Sequence, residues 1–195
     1  MLNIAIVGLG WWGLTHLRFM EQSKLVKAVA GFDPNSNARA AAEKVGLRTV
    51  DSFENILANK DIDAVLLCTP HAGHVREITA AAKAGKHVFC EKPLGIDPIE
   101  AEKAFEAVRQ AGVVLGIGHK RRFDPAMIEM LRRARSGEFG ELLAIEANFS
   151  QDLFLKLTAD NWRLSPVHAP VGPLSATGIH LVDLSIAFWG KPSET

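Results

Sequence analysis

Apolar and polar positions alternate along the first 118 residues in blocks that indicate strands and helices in turn. Short continuous apolar runs, bounded by turn residues, are typical of strands that are buried on both faces. The strands are predicted over 3–7, 26–32, 64–68, 87–90 and 113–117, and the helices over 14–22, 36–45, a short stretch ending at residue 58, 74–84 and 98–111. This alternation predicts an α/β fold, a doubly wound parallel sheet with helices on both faces.

Two predicted helices carry start signals. Asp97 precedes Pro98 and Glu100, which is the order of an N-cap acid, a proline at the first helical position and an acid in the first turn, and Gly112 ends this helix. Asp51 and Glu54 have the spacing of a capping box before the short helix.

The pattern changes after residue 118. A helix is predicted from Pro125 to about residue 135 and another over 179–189, with an irregular stretch over 150–174. Leu143, Ile145, Ala147 and Phe149 alternate with more polar residues, which predicts one strand buried on one face. A lone strand cannot form a sheet. We therefore expect residues 1–118 to form one domain, residues 119–195 to begin an α+β substrate domain, and Thr195 to be a truncation point.

Composition narrows the class of protein. The 22 basic and 22 acidic side chains balance, which argues against a nucleic-acid-binding domain, and hydrophobic residues make up 48% of the chain. No apolar run approaches 18 residues and the N-terminus lacks a basic signal region, so no membrane association or export is expected. Cys68 and Cys90 form no disulfide framework and are expected to be small buried residues in a cytoplasmic setting.

The first candidate site is a glycine loop between a predicted strand and a helix. Gly8, Gly10 and Gly13 fit G-x-G-x-x-G, and Asp33 follows 20 residues later at the end of the second strand. This is the context of the dinucleotide-binding fingerprint of a Rossmann domain. Gly8 would make the tight turn, Gly10 would admit the pyrophosphate, and Gly13 would allow close packing. The alternative is a turn that binds nothing.

Asp33 indicates which dinucleotide is bound. Its carboxylate would accept hydrogen bonds from the adenosine ribose and repel a 2′-phosphate, so we predict NAD rather than NADP. Lys27 and Arg39 do not obviously favour the phosphate. Trp11 and Trp12 are candidates to cover the cofactor, although packing is an equally good explanation for one of them.

Later motifs lie at the carboxyl ends of predicted strands or beyond them. They are Thr69-Pro70-His71-Ala72-Gly73-His74, Glu91-Lys92-Pro93, Arg121-Arg122-Phe123-Asp124-Pro125, Asn161-Trp162-Arg163 and Gly172 followed by Gly178-Ile179-His180-Leu181-Val182-Asp183. With the glycine loop, and in this order, they resemble the glucose–fructose oxidoreductase / inositol dehydrogenase (Gfo/Idh/MocA) family. Proteins of this family usually continue well past 195 residues through a large open-faced sheet, and usually form homo-oligomers.

The resemblance implies a role for each motif. Lys92 would contact a substrate hydroxyl and help to move its proton, and Pro93 would follow a cis peptide. Thr69, Pro70 and His74 would line the cofactor cleft, and Glu91 would lie near the nicotinamide ribose. His180 would be the acid/base with Asp183 on the same helical face, and Arg121 and Arg163 would bind substrate.

Elementary chemistry supports part of this assignment. Oxidation of an alcohol requires a base for the hydroxyl proton, and histidine suits that task at neutral pH. Lysine can do so where its surroundings favour the amine. Many family members have Asp four residues before the histidine, where this chain has Ala176. His180 therefore lacks the usual orienting acid unless Asp183 replaces it.

Each candidate also has a structural interpretation. Lys92 could be a solvated lysine, His180 a hydrogen-bonded core residue, and Asp183 the partner of a cation. Arg121 and Arg122 could bind a substrate carboxylate or pair with acids. His71 and His74 suggest a metal only weakly because a third ligand is missing, and we predict no metal.

The function predicted from the sequence is that of an NAD-dependent dehydrogenase acting on a secondary hydroxyl of a sugar, polyol or cyclic diol. One alternative is a non-catalytic dinucleotide-binding sensor of the same fold. Another is a chain that is inactive because the rest of its pocket is missing.

Overall fold

A computed structural model describes residues 1–193 of the chain. The described residues divide into two compact units, Met1–Gly118 and a second unit that begins at His119. Each unit is described separately below.

The first unit is built on a five-stranded parallel sheet. The strands are β1 (Leu2–Val7), β2 (Val26–Phe32), β3 (Ala64–Leu67), β4 (His87–Cys90) and β5 (Leu115–Ile117), in the order β2-β1-β3-β4-β5. The strand β2 is added on one side of β1, and β3, β4 and β5 are added in turn on its other side, so the order of the strands changes direction at β1. The doubly wound α/β fold predicted from the pattern is confirmed.

Helices cover both faces of this sheet because successive side chains of a strand point in opposite directions. Ala5, Val7, Val65 and Leu67 belong to one buried cluster with residues of three helices, whereas Ile6 and Leu66 belong to another. The helices of the first cluster are α3 (Phe53–Ala58), α4 (His74–Lys83) and α5 (Pro98–Ala111), and those of the second are α1 (Trp11–Met20) and α2 (Ser36–Lys44).

The helix ends show where local signals decided the fold. Asp97 accepts hydrogen bonds from the N–H groups of Ile99 and Glu100, and Gly112 ends α5 in the left-handed region with φ of 64°. Both predictions for α5 are confirmed. The cap predicted for α3 was wrong, because Ser52 rather than Asp51 accepts from the N–H of Asn55.

Lys86 is a buried lysine that joins two segments of the first unit. Its ammonium donates to the carbonyl oxygen of Asn59 at 2.7 Å and to that of Ile62 at 2.8 Å. Lys86 directly precedes β4, so its side chain anchors the loop after α3 to the start of this strand.

The second unit contains two α-helices in its described part, α6 (Pro125–Ser136) and α7 (Ile179–Trp189). Short 3₁₀ turns lie at Lys120–Phe123, Leu153–Lys156 and Trp162–Leu164, and a π-helical turn at Leu174–Gly178 runs directly into α7.

The strand predicted over residues 143–149 was wrong. These residues have no strand structure, and Leu143 is 81% exposed. Their alternation matches a strand, but a strand needs a neighbour to satisfy its backbone groups. Within residues 119–193 the structure provides no strand to pair with them.

Both cysteine thiols have pKa values above the ordinary value. Burial, followed by the charge of Glu91, raises the pKa of Cys68, and burial chiefly raises that of Cys90. Across residues 1–193, the structure has no helix with both the length and the apolar character required to span a membrane.

Candidate functional site

The glycine loop is shaped by close backbone contacts that only glycine permits. Gly8 has φ of 92°, and a Cβ there would lie 2.7 Å from the carbonyl carbon of Cys68. A Cβ on Gly13 would overlap the carbonyl oxygen of Gly8, so this glycine lets α1 approach the loop. A Cβ on Gly10 would meet nothing within 4 Å, which leaves the surface above this residue open to a ligand.

The N-terminus of α1 is available to an anion. Gly10 is its N-cap, no side chain caps the first turn, and no acidic residue lies in that turn. The first N–H groups of a helix have no partner within the helix and favour negative charge. This arrangement fits the pyrophosphate of a dinucleotide.

Asp33 lies beside this loop. One carboxylate oxygen accepts from the N–H of Leu9 at 2.8 Å and the other from the N–H of Asn35 at 2.8 Å. Each carboxylate oxygen can accept a further hydrogen bond, so Asp33 retains capacity for ribose hydroxyls. Arg39 donates to the carbonyl oxygens of Asp33 and Pro34, at 2.7 and 3.3 Å. The loop and Asp33 together fit NAD.

The two tryptophans of the loop differ in environment. Trp11 is 73% exposed, and its ring lies 5.1 Å from that of Trp12. Trp12 also donates a side-chain hydrogen bond to Glu91. Trp11 is therefore the better placed of the two to cover a ligand, and Trp12 has a structural contact.

His74 is fully buried, so its side chain does not line an exposed surface as the sequence analysis expected. Its Nδ1 lies 2.7 Å from the carbonyl oxygen of Pro93 and its Nε2 lies 2.9 Å from that of Thr69. The hydroxyl of Thr69 donates to Glu77 of α4. His74 thus joins the loop of Thr69 and Pro70 to the loop that contains Lys92.

The Lys92–Pro93 peptide bond is cis, which confirms the prediction for Pro93. Lys92 is partly buried, and its charge contributes to the electrostatic environment of Glu91. Glu91 is 8% exposed and lies 3.0 Å from Nε2 of His16. Burial raises the pKa of Glu91, but hydrogen bonds from His16 and Trp12 and the charges of His16 and Lys92 outweigh this effect and lower it.

The sequence analysis missed His16. Its position four residues after Trp12 places both side chains on one face of α1, and this spacing was the available signal. The rings of Trp12 and His16 meet edge to face with centroids 5.2 Å apart.

In the second unit, His180 lies in the first turn of α7 and is 7% exposed. Its ring lies 6.4 Å from that of His119, almost perpendicular to it, and 6.4 Å from that of Phe149. The sequence analysis did not connect His119 or Phe149 with His180, because each is distant from residue 180 along the chain.

Asp183 forms a forked ion pair with Arg122. Nε and Nη2 of Arg122 donate to its two carboxylate oxygens at 2.7 and 2.6 Å, and Nδ1 of His119 lies 3.6 Å away. Hydrogen bonding to Asp183 raises the pKa of Arg122. This geometry favours the interpretation in which Asp183 pairs with a cation.

The two predicted substrate arginines have different neighbours. Arg121 donates to Asp124 at 3.0 Å and lies 5.1 Å from the ring centre of Phe149. Arg163 lies 4.4 Å from the ring centre of Trp162, and burial lowers its pKa. Among residues 1–193, Arg163 has no ion pair with an acidic side chain, which keeps it a candidate for binding an anionic group.

The part of the chain that the structure describes contains no group of three His, Cys, Asp or Glu side chains that could hold a metal. His71 and His74 lie in contact, with ring centroids 6.0 Å apart, and both are buried.

Comparison with known proteins defines the class. Residues 2–119 match a family model described as an oxidoreductase family with an NAD-binding Rossmann fold, and residues 127–195 match a GFO/IDH/MocA C-terminal domain. The chain belongs to the Gfo/Idh/MocA oxidoreductase family, as its motifs indicated.

Individual relatives agree with this membership. The chain is 37% identical over 144 residues to a scyllo-inositol 2-dehydrogenase (NAD(+)) of Bacillus subtilis, covering 72% of this chain and 42% of that protein. A Desulfitobacterium hafniense structure, provisionally assigned as an NADPH-dependent oxidoreductase, matches with TM-score 0.89 and 29% identity over 97% of this chain and 55% of the other. GenD2 from gentamicin A biosynthesis, solved in complex with NAD, matches with TM-score 0.81 and 25% identity over 98% of this chain and 54% of the other. The chain therefore spans about half the length of these relatives.

Proposed function

We propose that the protein is an NAD-dependent oxidoreductase that acts on a secondary hydroxyl of a sugar, polyol or cyclic diol. The observation that carries this proposal is the placement of the glycine loop, Asp33 and Lys92 in the first unit. They follow β1, β2 and β4, and the carboxyl ends of parallel strands share one edge of the sheet. Ligands of doubly wound sheets bind at that edge.

Bound NAD supplies the acceptor for a hydride. In the proposed oxidation, the carbinol C–H bond breaks and its electron pair leaves with the hydrogen. The hydroxyl proton passes to a base of the protein, and the C–O single bond becomes a carbonyl. The proposed base is the amine of Lys92 or the imidazole of His180, because each accepts one proton in its neutral form.

The proposed preference is for NAD over NADP. The carboxylate of Asp33 lies where a 2′-phosphate would be repelled. The NAD(+) in the name of the Bacillus subtilis relative and the NAD bound to GenD2 support this preference. Because the Desulfitobacterium hafniense relative is described as NADPH-dependent, the affinity for NADPH must be measured beside that for NADH.

A fluorescence titration with NADH and NADPH tests the cofactor. Energy transfer from Trp11 and Trp12 to the nicotinamide reports binding, and NADH is expected to saturate at lower concentration. Asp33→Asn removes the negative charge and is expected to narrow the difference between the two affinities. Equal affinities in the unmodified chain would contradict the role of Asp33.

The substrate test uses inositols, simple sugars and cyclic diols with NAD, and follows the formation of NADH. Inositols come first because a relative is named for scyllo-inositol. Lys92→Ala is expected to lower kcat by about 100-fold or more, as for loss of an acid/base group, while NADH affinity is retained. Lys24→Ala, at an exposed lysine, is the matched control. Turnover unchanged by Lys92→Ala would contradict the assignment.

The alternative function is that of a non-catalytic dinucleotide sensor, which Ala176 favours. This residue lies in the π-helical turn before α7 and supplies no carboxylate to orient His180. Saturable NADH binding without turnover of any substrate would support the sensor.

A further inference from the structure

Glu91 is a buried carboxylate with partners from a different element of the first unit. It follows β4, whereas both of its side-chain hydrogen-bond donors, Trp12 and His16, belong to α1. A buried charge is costly unless such groups stabilise it. The two donors therefore fix the carboxylate against α1.

The backbone at Gly118, directly after β5, also limits the space around Glu91. A Cβ on Gly118 would lie 2.9 and 3.1 Å from its two carboxylate oxygens. The N–H of Gly118 also donates to the carbonyl oxygen of Cys90 at 2.8 Å. The carboxylate thus lies in a slot whose width depends on the absence of a side chain at residue 118.

Lys92 lies between two anchored residues. On one side, the N–H of Glu91 donates to the carbonyl oxygen of Leu67 at 2.9 Å while its side chain is held by α1. On the other side, the carbonyl oxygen of Pro93 lies 2.7 Å from Nδ1 of His74. The path of the backbone at Lys92 therefore depends on both contacts.

We propose that His16 is a positioning residue, which acts through Glu91 to hold the backbone of Lys92 relative to α1, the helix whose N-terminus receives the pyrophosphate. This inference rests on the proposed function for its catalytic consequence. Its structural part, the dependence of Lys92 on His16, can be measured without turnover.

The variants separate the hydrogen bond from the shape of the ring. His16→Leu removes the donor, whereas His16→Gln places an amide N–H near the position of Nε2. His168→Gln, at an exposed histidine of the second unit, is the matched control. Gly118→Ala crowds the carboxylate directly and leaves His16 intact, so the test does not depend on one variant folding.

The first readout is the backbone amide signal of Lys92 in protein labelled with ¹⁵N-lysine, without cofactor. We expect the signal to shift in His16→Leu and Gly118→Ala, to shift less in His16→Gln, and to be unchanged in His168→Gln. A Lys92 signal unchanged in both His16→Leu and Gly118→Ala would overturn the inference.

The second readout is kinetic. Loss of a hydrogen bond to a charged group predicts that His16→Leu lowers kcat about ten- to hundredfold, with most of kcat recovered in His16→Gln. The pyrophosphate contacts should be preserved, because His16 lies beyond the first turn of α1, so any loss of NADH affinity should be smaller than the loss of kcat. Equal kcat in His16→Leu and the unmodified chain would overturn the inference while the proposed function stands. Conversely, if the unmodified chain has no turnover but the Lys92 signal shifts as expected, the proposed function fails and the positioning role stands.

Discussion

At the scale of the residue, Glu91 makes the stability of the first unit depend on pH in the acid range. Its pKa is lower in the folded chain than in an exposed glutamate, although burial acts in the opposite direction. A group of this kind stabilises the fold fully above the pKa of the unfolded chain, and the contribution is lost as the pH falls through the lower, folded value.

The corresponding prediction concerns Glu91→Gln. As the pH is lowered below the ordinary glutamate pKa, the free energy of unfolding should decrease more steeply for the unmodified chain than for the variant. Urea unfolding at a series of pH values measures both slopes. Glu54→Gln, at an exposed glutamate, is the control, and parallel curves for all three proteins would contradict the prediction.

Lys86 gives a prediction of stability alone. Lys86→Met retains the apolar stem but removes the ammonium, which leaves the carbonyl oxygen of Ile62 without this partner, whereas that of Asn59 still accepts from the N–H of Ile62 at 3.4 Å. One unsatisfied buried group of this kind costs about 1–3 kcal/mol. We expect a loss of roughly 2 kcal/mol in urea unfolding, against less than about 0.5 kcal/mol for Lys83→Met at an exposed position. Equal losses would show that the ammonium contributes nothing.

At the scale of the element, local signals were sufficient where the chain satisfies its own backbone. Asp97 and Gly112 bound α5 as predicted, because a cap and a left-handed glycine act within a few residues. The start of α1 was placed at Leu14 instead of Trp11, because the two tryptophans were treated as part of the loop. Alternation over residues 143–149 predicted a strand but could not show whether a neighbouring strand exists.

The candidate site residues were likewise predictable only where the signal is local in the sequence. The glycine loop and the cis Lys92–Pro93 bond follow from contiguous motifs. His16, His119 and Phe149 contact candidate site residues that are distant from them along the chain, and a single sequence does not record such contacts. Spacing placed His180 and Asp183 on one helix, whereas the pairing of Asp183 with Arg122 joins residues 61 positions apart.

Hydrogen exchange tests the corrected element. Amides of residues 143–149 have no strand partner and should exchange rapidly, whereas those of Val65 and Leu66, paired on both sides within the sheet, should be protected. Slow exchange over 143–149 would show that this segment is paired in solution.

At the scale of the whole molecule, the proposed cofactor-binding residues all belong to the unit Met1–Gly118. A ligand that binds only the folded form stabilises it by about 2.7 kcal/mol at a concentration 100 times its dissociation constant. NADH should therefore slow hydrogen exchange in β1, β3 and α1 more than in α6. Uniform protection of both units, or none, would contradict a binding site confined to these residues.

The two thiols have a practical consequence for such experiments. Cys90 is buried and Cys68 partly so, and the raised pKa values keep both in the protonated, poorly nucleophilic form near neutral pH. Fluorophores that react with thiols should therefore label a single cysteine introduced on the surface and leave the native pair intact. Distances between dyes can then be followed in the otherwise unaltered chain, without replacing two residues that pack in or against the buried clusters of the first unit.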